Sequence, residues 1–416
     1  MTITFAQHAP HPWFEVADDC LVVGGRRLPD LAAQVGRTPF YAYDRAVMTR
    51  KVKALREALP TDIHVHFAMK ANPLPALVRH MVGLVDGLDV ASIGEMEVAL
   101  AAGAAPDNVS FAGPGKTDAE LERAAAAGIT INVESERELR VLAALGARGG
   151  KRPRVAVRVN PDFELKTSGM KMGGGPKQFG IDAERVPQVL ADIGRLPLEF
   201  RGFHIFSGSQ NLRAEAIIEA HQKTVELAGR LAELAPSPVT LLNIGGGFGI
   251  PYFPGERPLD VAPIAANLQS LLPEIRRRMP QAEVVLELGR YLVGEAGVYV
   301  CKVIDRKISR GQVFLITDGG LHHHLAASGN FGQVLRKNYP VIVGNHVVGD
   351  QVVGGGREIA SVVGPLCTPL DLLGDRMDLA RADEGDLIVV LQSGAYGFSS
   401  SPRSFLSHPE PAEILL

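Results

Sequence analysis

The sequence predicts a parallel (β/α)8 barrel with an all-β domain behind it. Three observations carry this expectation. Eight apolar, strand-like runs alternate with helical periodicities over roughly 250 residues, the length of one such barrel. Polar or glycine-rich residues gather where each run stops. Beyond residue 290 the helical periods give way to short β-branched runs separated by Gly, Asp and Asn, the pattern of a β-domain.

Taken in order, Cys20 to Leu28 reads as a small hairpin turning at Gly24-Gly25. After Thr38-Pro39-Phe40 the alternation begins. Strands are expected at 63–69, 87–91, 109–112, 130–133, 154–159, 202–206, 240–244 and 284–288. Helices between them are expected at 46–58, 94–103, 117–127, 213–234 and 262–278. In the first strand Ile63, Val65, Phe67 and Met69 share one face, and His64, His66, Ala68 and Lys70 share the other. Ala71-Asn72-Pro73 cannot extend a central strand. The residues at the ends of the runs are Lys70; Asp89 and Ser92; Gly113 to Lys116; Glu134 and Ser135; Arg158 and Asn160; His204 and Ser207; Gly245, Gly246 and Gly247; and Glu287 with Arg290. In a (β/α)8 barrel those ends converge on one mouth, where the chemistry sits. The later strands are expected at 298–304, 313–317, 341–343 and 387–391. The expected division is a barrel over 38–288 and a β-domain made of 1–37 with 289–416, the N-terminal hairpin joining it because a terminus needs a partner to stay ordered.

Composition narrows the class. Hydrophobic residues at 46% and charged ones at 21% describe an ordinary globular chain with ample core. A formal net charge of −3 gives no electrostatic case for nucleic acid or an anionic membrane. Cys20, Cys301 and Cys367 are odd in number and far apart, which excludes a disulfide framework and a metal-ligand spacing. The start of the chain lacks a basic segment followed by an apolar one, and no run approaches the ~18 apolar residues of a membrane span. A cytoplasmic protein is expected.

Read alone, the strand-end residues leave alternatives open. Lys70 is either a lysine that snorkels to water or an amine tuned by burial to form an imine with an aldehyde. Gly245-Gly246-Gly247 is either a tight turn or a loop whose backbone N–H groups crowd around an anion. His204 and Cys367 are either core residues or functional ones. Asp89 and Arg158 could be ordinary buried ion-pair partners.

Context favours the functional readings. Phe67-Ala68-Met69-Lys70-Ala71-Asn72 resembles the cofactor-lysine motif of the fold-type III pyridoxal-phosphate decarboxylases, which include the diaminopimelate, ornithine and arginine decarboxylases. Matching motifs recur in that family's order along nearly the whole chain. The resemblance implies an alanine racemase-like TIM barrel and a homodimer with shared active sites. It also implies pyridoxal 5'-phosphate as cofactor and amino-acid decarboxylation through a Lys70 Schiff base and a quinonoid intermediate. It assigns the cofactor phosphate to Ser207 and to Gly245, Gly246 and Gly247, and the ring face to His204. Glu287 falls at the ring nitrogen, where a carboxylate keeps the nitrogen protonated; the related racemases use an arginine there. Asp89 and Arg158 match the polar network of the site. Gly289 and Arg290 belong to the Glu287-Leu288-Gly289-Arg290 motif, with Leu288 where proline is usual, and Tyr396 is implied to reach the cofactor or its phosphate. Phe206 stands where the family has glycine. Cys367, in Gly364-Pro365-Leu366-Cys367, is implied to enter the neighbouring subunit's site and to return a proton to Cα.

Substrate contacts are expected from Arg290, Cys367, Thr368, Asp371, His322 and His323. Diaminopimelate decarboxylases carry Cys-Glu-Ser where this chain has Cys367-Thr368-Pro369, so the glutamate that grips a distal amino group is absent. Their Arg-Pro-x-Leu-Tyr stretch is replaced by the segment containing His322, His323 and His324. Losing designed polar partners costs a substrate several kcal/mol, in the range of 1–3 for each unpaired buried group. Four stretches, Lys171 to Gly180, the triple histidine, Gly364 to Pro369 and Ser399 to Pro411, resemble a narrower branch. That branch includes the butirosin-pathway decarboxylase of glutamyl-carrier-protein thioesters and the decarboxylases found with exosortase systems. It implies an amino acid held on an acyl carrier protein or within a conjugate. The alternatives are a diaminopimelate or basic amino-acid decarboxylase, a racemase, and a non-catalytic homologue. Adjacent histidines in a strand alternate faces, so no metal is expected.

Overall fold

The computed structural model describes residues 8–164, 170–171, 173–331, 333, 336–346 and 356–416; Met172, in the Lys171 to Gly180 stretch, lies outside them. Two compact units result: one holds Lys51–Ile250 with Leu259–Gly289, the other the chain up to Arg50, Pro251–Pro258 and Arg290–Leu416.

The first unit is the expected barrel. Its strands are β1 (Ile63–Ala68), β2 (Gly87–Val90), β3 (Val109–Phe111), β4 (Thr130–Val133), β5 (Arg154–Asn160), β6 (Glu199–His204), β7 (Leu241–Gly246) and β8 (Glu283–Leu288). Each pairs in parallel with the next, and β8 returns to β1 with Val284 opposite Ile63 and Leu288 opposite Phe67. Closure leaves no open edge. The helices are α1 (Pro75–Val82), α2 (Ile93–Ala101), α3 (Asp118–Ala127), α4 (Glu136–Ala147), α5 (Val186–Ile193), α6 (Ala214–Ala232) and α7 (Ala262–Arg278). Side-chain caps start three of them, two directly after their strands: Ser92 Oγ accepts from Glu95 N and Ser135 Oγ from Glu138 N, while Thr117, six residues beyond β3, forms a reciprocal capping box with Glu120. The short connections keep the strand-end residues at the mouth.

Two departures have visible causes. β6 begins at Glu199, not 202, because Gly202 interrupts the apolar pattern inside the strand. Its φ is +148° and a Cβ there would overlap the carbonyl of Leu241, so only glycine fits. β1 stops at Ala68, and Met69–Ala71 make a single 3-10 turn. Lys70 therefore projects from a turn and does not continue the strand face.

At the mouth side a buried ion pair ties β3's exit to α4. Lys116 Nζ lies 3.0 Å from both Glu138 carboxylate oxygens and donates to Gly113 O at 2.6 Å, both side chains being almost wholly buried. Burial pulls the Lys116 pKa down and pushes that of Glu138 up, each opposed by the other's charge. Removing one partner strands a buried charge. Lys116→Met should therefore cost about 3–5 kcal/mol in urea unfolding, and Lys116→Met with Glu138→Leu should recover most of it. Equal losses in the single and double variants would show that the pair itself stabilises.

The second unit is β-rich. Gly297–Ser309 runs antiparallel to Gln312–Thr317, to Leu387–Val390 and to Phe40–Tyr43. Val341–Val343 pairs with Leu387–Val390, and Ala412–Leu415 lies parallel to Phe40–Tyr43. The Phe40–Tyr43 stretch, expected to open the barrel, is thus a strand of this sheet. Arg357–Val363 and Leu372–Ala380 extend it and were not expected: their exposed charges, among them Arg357, Arg376 and Asp378, break up the apolar signal. The Cys20–Val23 and Arg26–Arg27 hairpin forms as expected. Leu21, Val23, Leu28, Phe40, Val298, Val300 and Val389 fill the core beneath it. No helix among the described residues is long and apolar enough to cross a membrane.

Candidate active site

The pairing of β8 with β1 places Glu287 opposite His66 and brings Lys70 and Glu287 together at the barrel mouth. Lys70 Nζ stands 3.7 Å from Glu287 Oε1; the lysine side chain is 44% exposed and the glutamate 6%. His204, the last residue of β6, puts Nε2 3.0 Å from Glu287 Oε2. Between them on β7, Asn243 Nδ2 donates to Glu287 Oε2 at 3.4 Å, and Asn243 Oδ1 accepts from Gly245 N at 2.8 Å. Burial opposes ionisation of Glu287. The contact with His204 and the charges of Lys70 and Arg158 outweigh it and hold the carboxyl well below the usual carboxylate range. The ring of Phe206 lies 5.7 Å from Lys70 Nζ, within cation–π reach.

Two supporting networks surround this pair. Asp89 Oδ1 accepts from Ser110 Oγ at 2.5 Å and lies 3.4 Å from His66 Nδ1. Burial disfavours the His66 cation, yet the Asp89 carboxylate wins and raises its pKa above the ordinary histidine value. Arg158 Nη1 donates to Glu134 Oε1 at 2.8 Å, and its guanidinium sits over the Phe179 ring at 5.0 Å. Glu134 also accepts from the backbone of Gly113 and Gly180, bracketing three neighbouring strand ends.

Beyond β7, Gly247 has φ +76° and a Cβ on it would strike the carbonyl of Gly208, while Asn211 N donates to Gly247 O at 2.8 Å. The turn is thus pressed against the segment after His204. Ser207, Gly208, Gly246 and Gly247 line one small cleft with Asn211 and His221.

The remaining expected residues lie in the β-rich unit. Arg290 donates to Tyr252 Oη at 3.0 Å and lies over the rings of Tyr252 and Tyr396 at 5.2 and 4.6 Å. Tyr396 itself holds a left-handed backbone, φ +53°, uncommon for a bulky residue and found where surrounding structure over-determines it. Cys367 is exposed and Thr368 half-buried. His322, His323 and Asp371, expected to face substrate, are instead buried: at 0%, 1% and 3% exposure they present no open surface. The His322 ring packs 3.6 Å from that of His323 and 5.0 Å from that of His408, and both Asp371 oxygens are taken by backbone amides. His323 Nε2 lies 2.9 Å from Pro409 O, so backbone partners hold His323 and Asp371, whereas the His322 ring is held by packing and neither of its nitrogens has a hydrogen-bond partner among the described residues.

Comparison with known proteins decides the family. The profile of the family described as "Pyridoxal-dependent decarboxylase, pyridoxal binding domain" matches residues 45–294. The chain belongs to the pyridoxal-dependent decarboxylases. It is 40% identical over 383 residues to the L-glutamyl-[BtrI acyl-carrier protein] decarboxylase of Niallia circulans, covering 91% of this chain and 88% of that protein. It is 33% identical to the diaminopimelate decarboxylase of Aquifex aeolicus, covering 98% and 93%. It is 30% identical to the 2-[(L-alanin-3-ylcarbamoyl)methyl]-2-hydroxybutanedioate decarboxylase of Staphylococcus aureus, covering 94% and 96%. The crystal structure of diaminopimelate decarboxylase from Helicobacter pylori in complex with L-lysine superimposes with a TM-score of 0.82 at 28% identity, covering 93% of this chain and 94% of that one.

The mouth of this decarboxylase fits the family cofactor, pyridoxal phosphate. An amine and a buried, ionised carboxylate face the same space, a glycine turn too tight for any Cβ adjoins them, and buried polar atoms at the mouth await partners. Asp89 Oδ2, Asn132 Oδ1 and His204 Nδ1 have no hydrogen-bond partner among the described residues. Several participants carried no distinguishing sequence signal. Glu134 was visible only as a polar residue ending a strand. Tyr252 lies in a Pro- and Gly-bounded excursion without periodicity, and His221 occupies an ordinary buried position of α6.

Proposed function

We propose that this decarboxylase acts on an amino acid carried on an acyl carrier protein or held in a conjugate. We further propose that it works in the cytoplasm as a homodimer whose subunits complete each other's active sites. The carrying observation is the 3.7 Å approach of Lys70 Nζ to a buried Glu287 carboxylate held ionised. When bound, the pyridoxal ring supplies an electron sink for the pair left behind as the α-carboxylate departs. Lys70 would tether the aldehyde, and Glu287 would hold a proton on the ring nitrogen. His204 would cover one ring face, with Asp89 and Arg158 completing the polar network. The backbone amides of Gly245, Gly246 and Gly247, with Ser207, would hold the phosphate. Cys367 of the second subunit would return a proton to Cα. Free thiols, one of them exposed, suit a reducing compartment.

The substrate reading rests on Thr368-Pro369, which offers no carboxylate to a distal amino group, and on the activities of the Niallia circulans and Staphylococcus aureus relatives. Carbon dioxide release should be at least about tenfold faster, as kcat/KM, with glutamyl-carrier protein than with free glutamate or diaminopimelate. Preference for diaminopimelate would transfer the chain to the lysine-forming relatives, and racemisation without carbon dioxide would refute decarboxylation here.

A further inference from the structure

Cys367 stands on a loop without regular structure, and such a loop keeps a side chain in place only through specific bonds. In residues 364–371 the thiol, Pro369 and Leu370 are exposed, whereas Asp371 is 3% exposed. Its Oδ1 accepts from Leu321 N at 2.5 Å and its Oδ2 from Leu366 N at 2.8 Å, the residue before the cysteine. The loop also closes on its own backbone: Gly364 N donates to Asp371 O and Asp371 N to Thr368 O, both at 3.2 Å. Gly320 and Gly364 flank the carboxylate so closely that a Cβ on either would collide with it. The far side of the bracket is firm. His323 N and His324 N donate to Gly320 O at 2.9 and 3.0 Å, Tyr41 Oη donates to His323 O at 2.7 Å, and His324 Nε2 pairs with Ser393 Oγ at 2.9 Å.

We infer that Asp371 is a positioning residue which ties the Cys367 loop to the 320–324 turn and so sets where the thiol stands. The inference rests on the proposed role of Cys367, and it gives the triple-histidine segment a purpose: a buried, packed anchor for that loop. A charged acceptor binding two amides is roughly twice as strong as a neutral one, and an amide left unpaired in this buried nest disfavours the native loop. A displacement of about 1 Å at a reacting group is enough to cost about 100-fold in rate.

The test uses the full holoenzyme. Asp371→Asn should lower kcat at least about tenfold with KM little changed and with the cofactor's visible absorbance retained. Gly364→Ala, which crowds the carboxylate without altering it, should do the same. Because Cys20 and Cys301 are buried, iodoacetamide reports on Cys367, and its alkylation rate should change about threefold or more in both variants. In a double-mutant cycle, Asp371→Asn should add nothing to Cys367→Ala. Full additivity, or Asp371→Asn with unchanged kcat and unchanged alkylation, overturns the inference. If Cys367→Ala alone keeps full activity, the reading of the thiol fails, and the alkylation rates still decide whether Asp371 sets its position.

Discussion

Replacing Lys70 with alanine should give a folded, colourless protein whose decarboxylase activity is down by about four orders of magnitude or more, the scale seen when a group central to covalent catalysis is removed. The fold should survive because the Lys70 side chain is half-exposed and its turn is closed by backbone, Asn72 N donating to Met69 O at 3.0 Å. The chemistry should not survive, because Lys70 is the amine placed against Glu287 at the mouth. Absorbance spectroscopy checks the first consequence: the visible band of the wild type should be missing after reconstitution with excess cofactor. Borohydride reduction of the wild type followed by peptide mass analysis checks the second, with the pyridoxyl group expected on the peptide containing Lys70. A Lys70→Ala protein that stays yellow, or a label on another lysine, would refute the assignment.

Much of this site could be read from the chain because barrel geometry converts sequence order into spatial order. Once β1 and β8 are recognised, closure makes them neighbours, and Lys70 and Glu287 must meet although 217 positions of chain separate them. His204 follows from the same rule, as the last residue of β6. The β-rich unit obeys no such rule. Its strands pair across irregular connections, so nothing in the local pattern says that His322 and His323 are buried by packing or that backbone amides hold both Asp371 oxygens. Asp371 drew attention as a carboxylate near a functional cysteine; only its partners reveal that both oxygens are committed. Gly202 illustrates the converse problem. A glycine that weakens a strand signal in sequence is required in the fold by the close approach of the Leu241 backbone.

Glu287→Gln is the second decisive substitution. Glutamine keeps the volume and the acceptor toward Asn243 but removes the charge that faces Lys70, His204 and Arg158. Because a preorganised charge at the developing centre is worth about 10²–10³ in rate, kcat should fall by that factor. The visible band should persist, since Lys70 is untouched. The pH dependence separates this role from simple packing. Burial works against the Glu287 carboxylate, yet its cationic and histidine neighbours depress its pKa below the ordinary 4.5. For a depressed acid the stabilising contribution is fully present above the unfolded value and is lost only as pH falls through the folded one. Wild-type stability should therefore decline steeply on acidification below about pH 4.5, near the ordinary glutamate value, and the glutamine variant should decline less over that window. Thermal midpoints measured from pH 7 down to 3 read this directly. A variant with wild-type kcat would mean that the ring nitrogen needs no acid partner, and the argument for decarboxylation over racemisation would lose its physical basis. Slow turnover combined with an unchanged acid profile would instead make Glu287 a packing residue whose charge the folded barrel does not use.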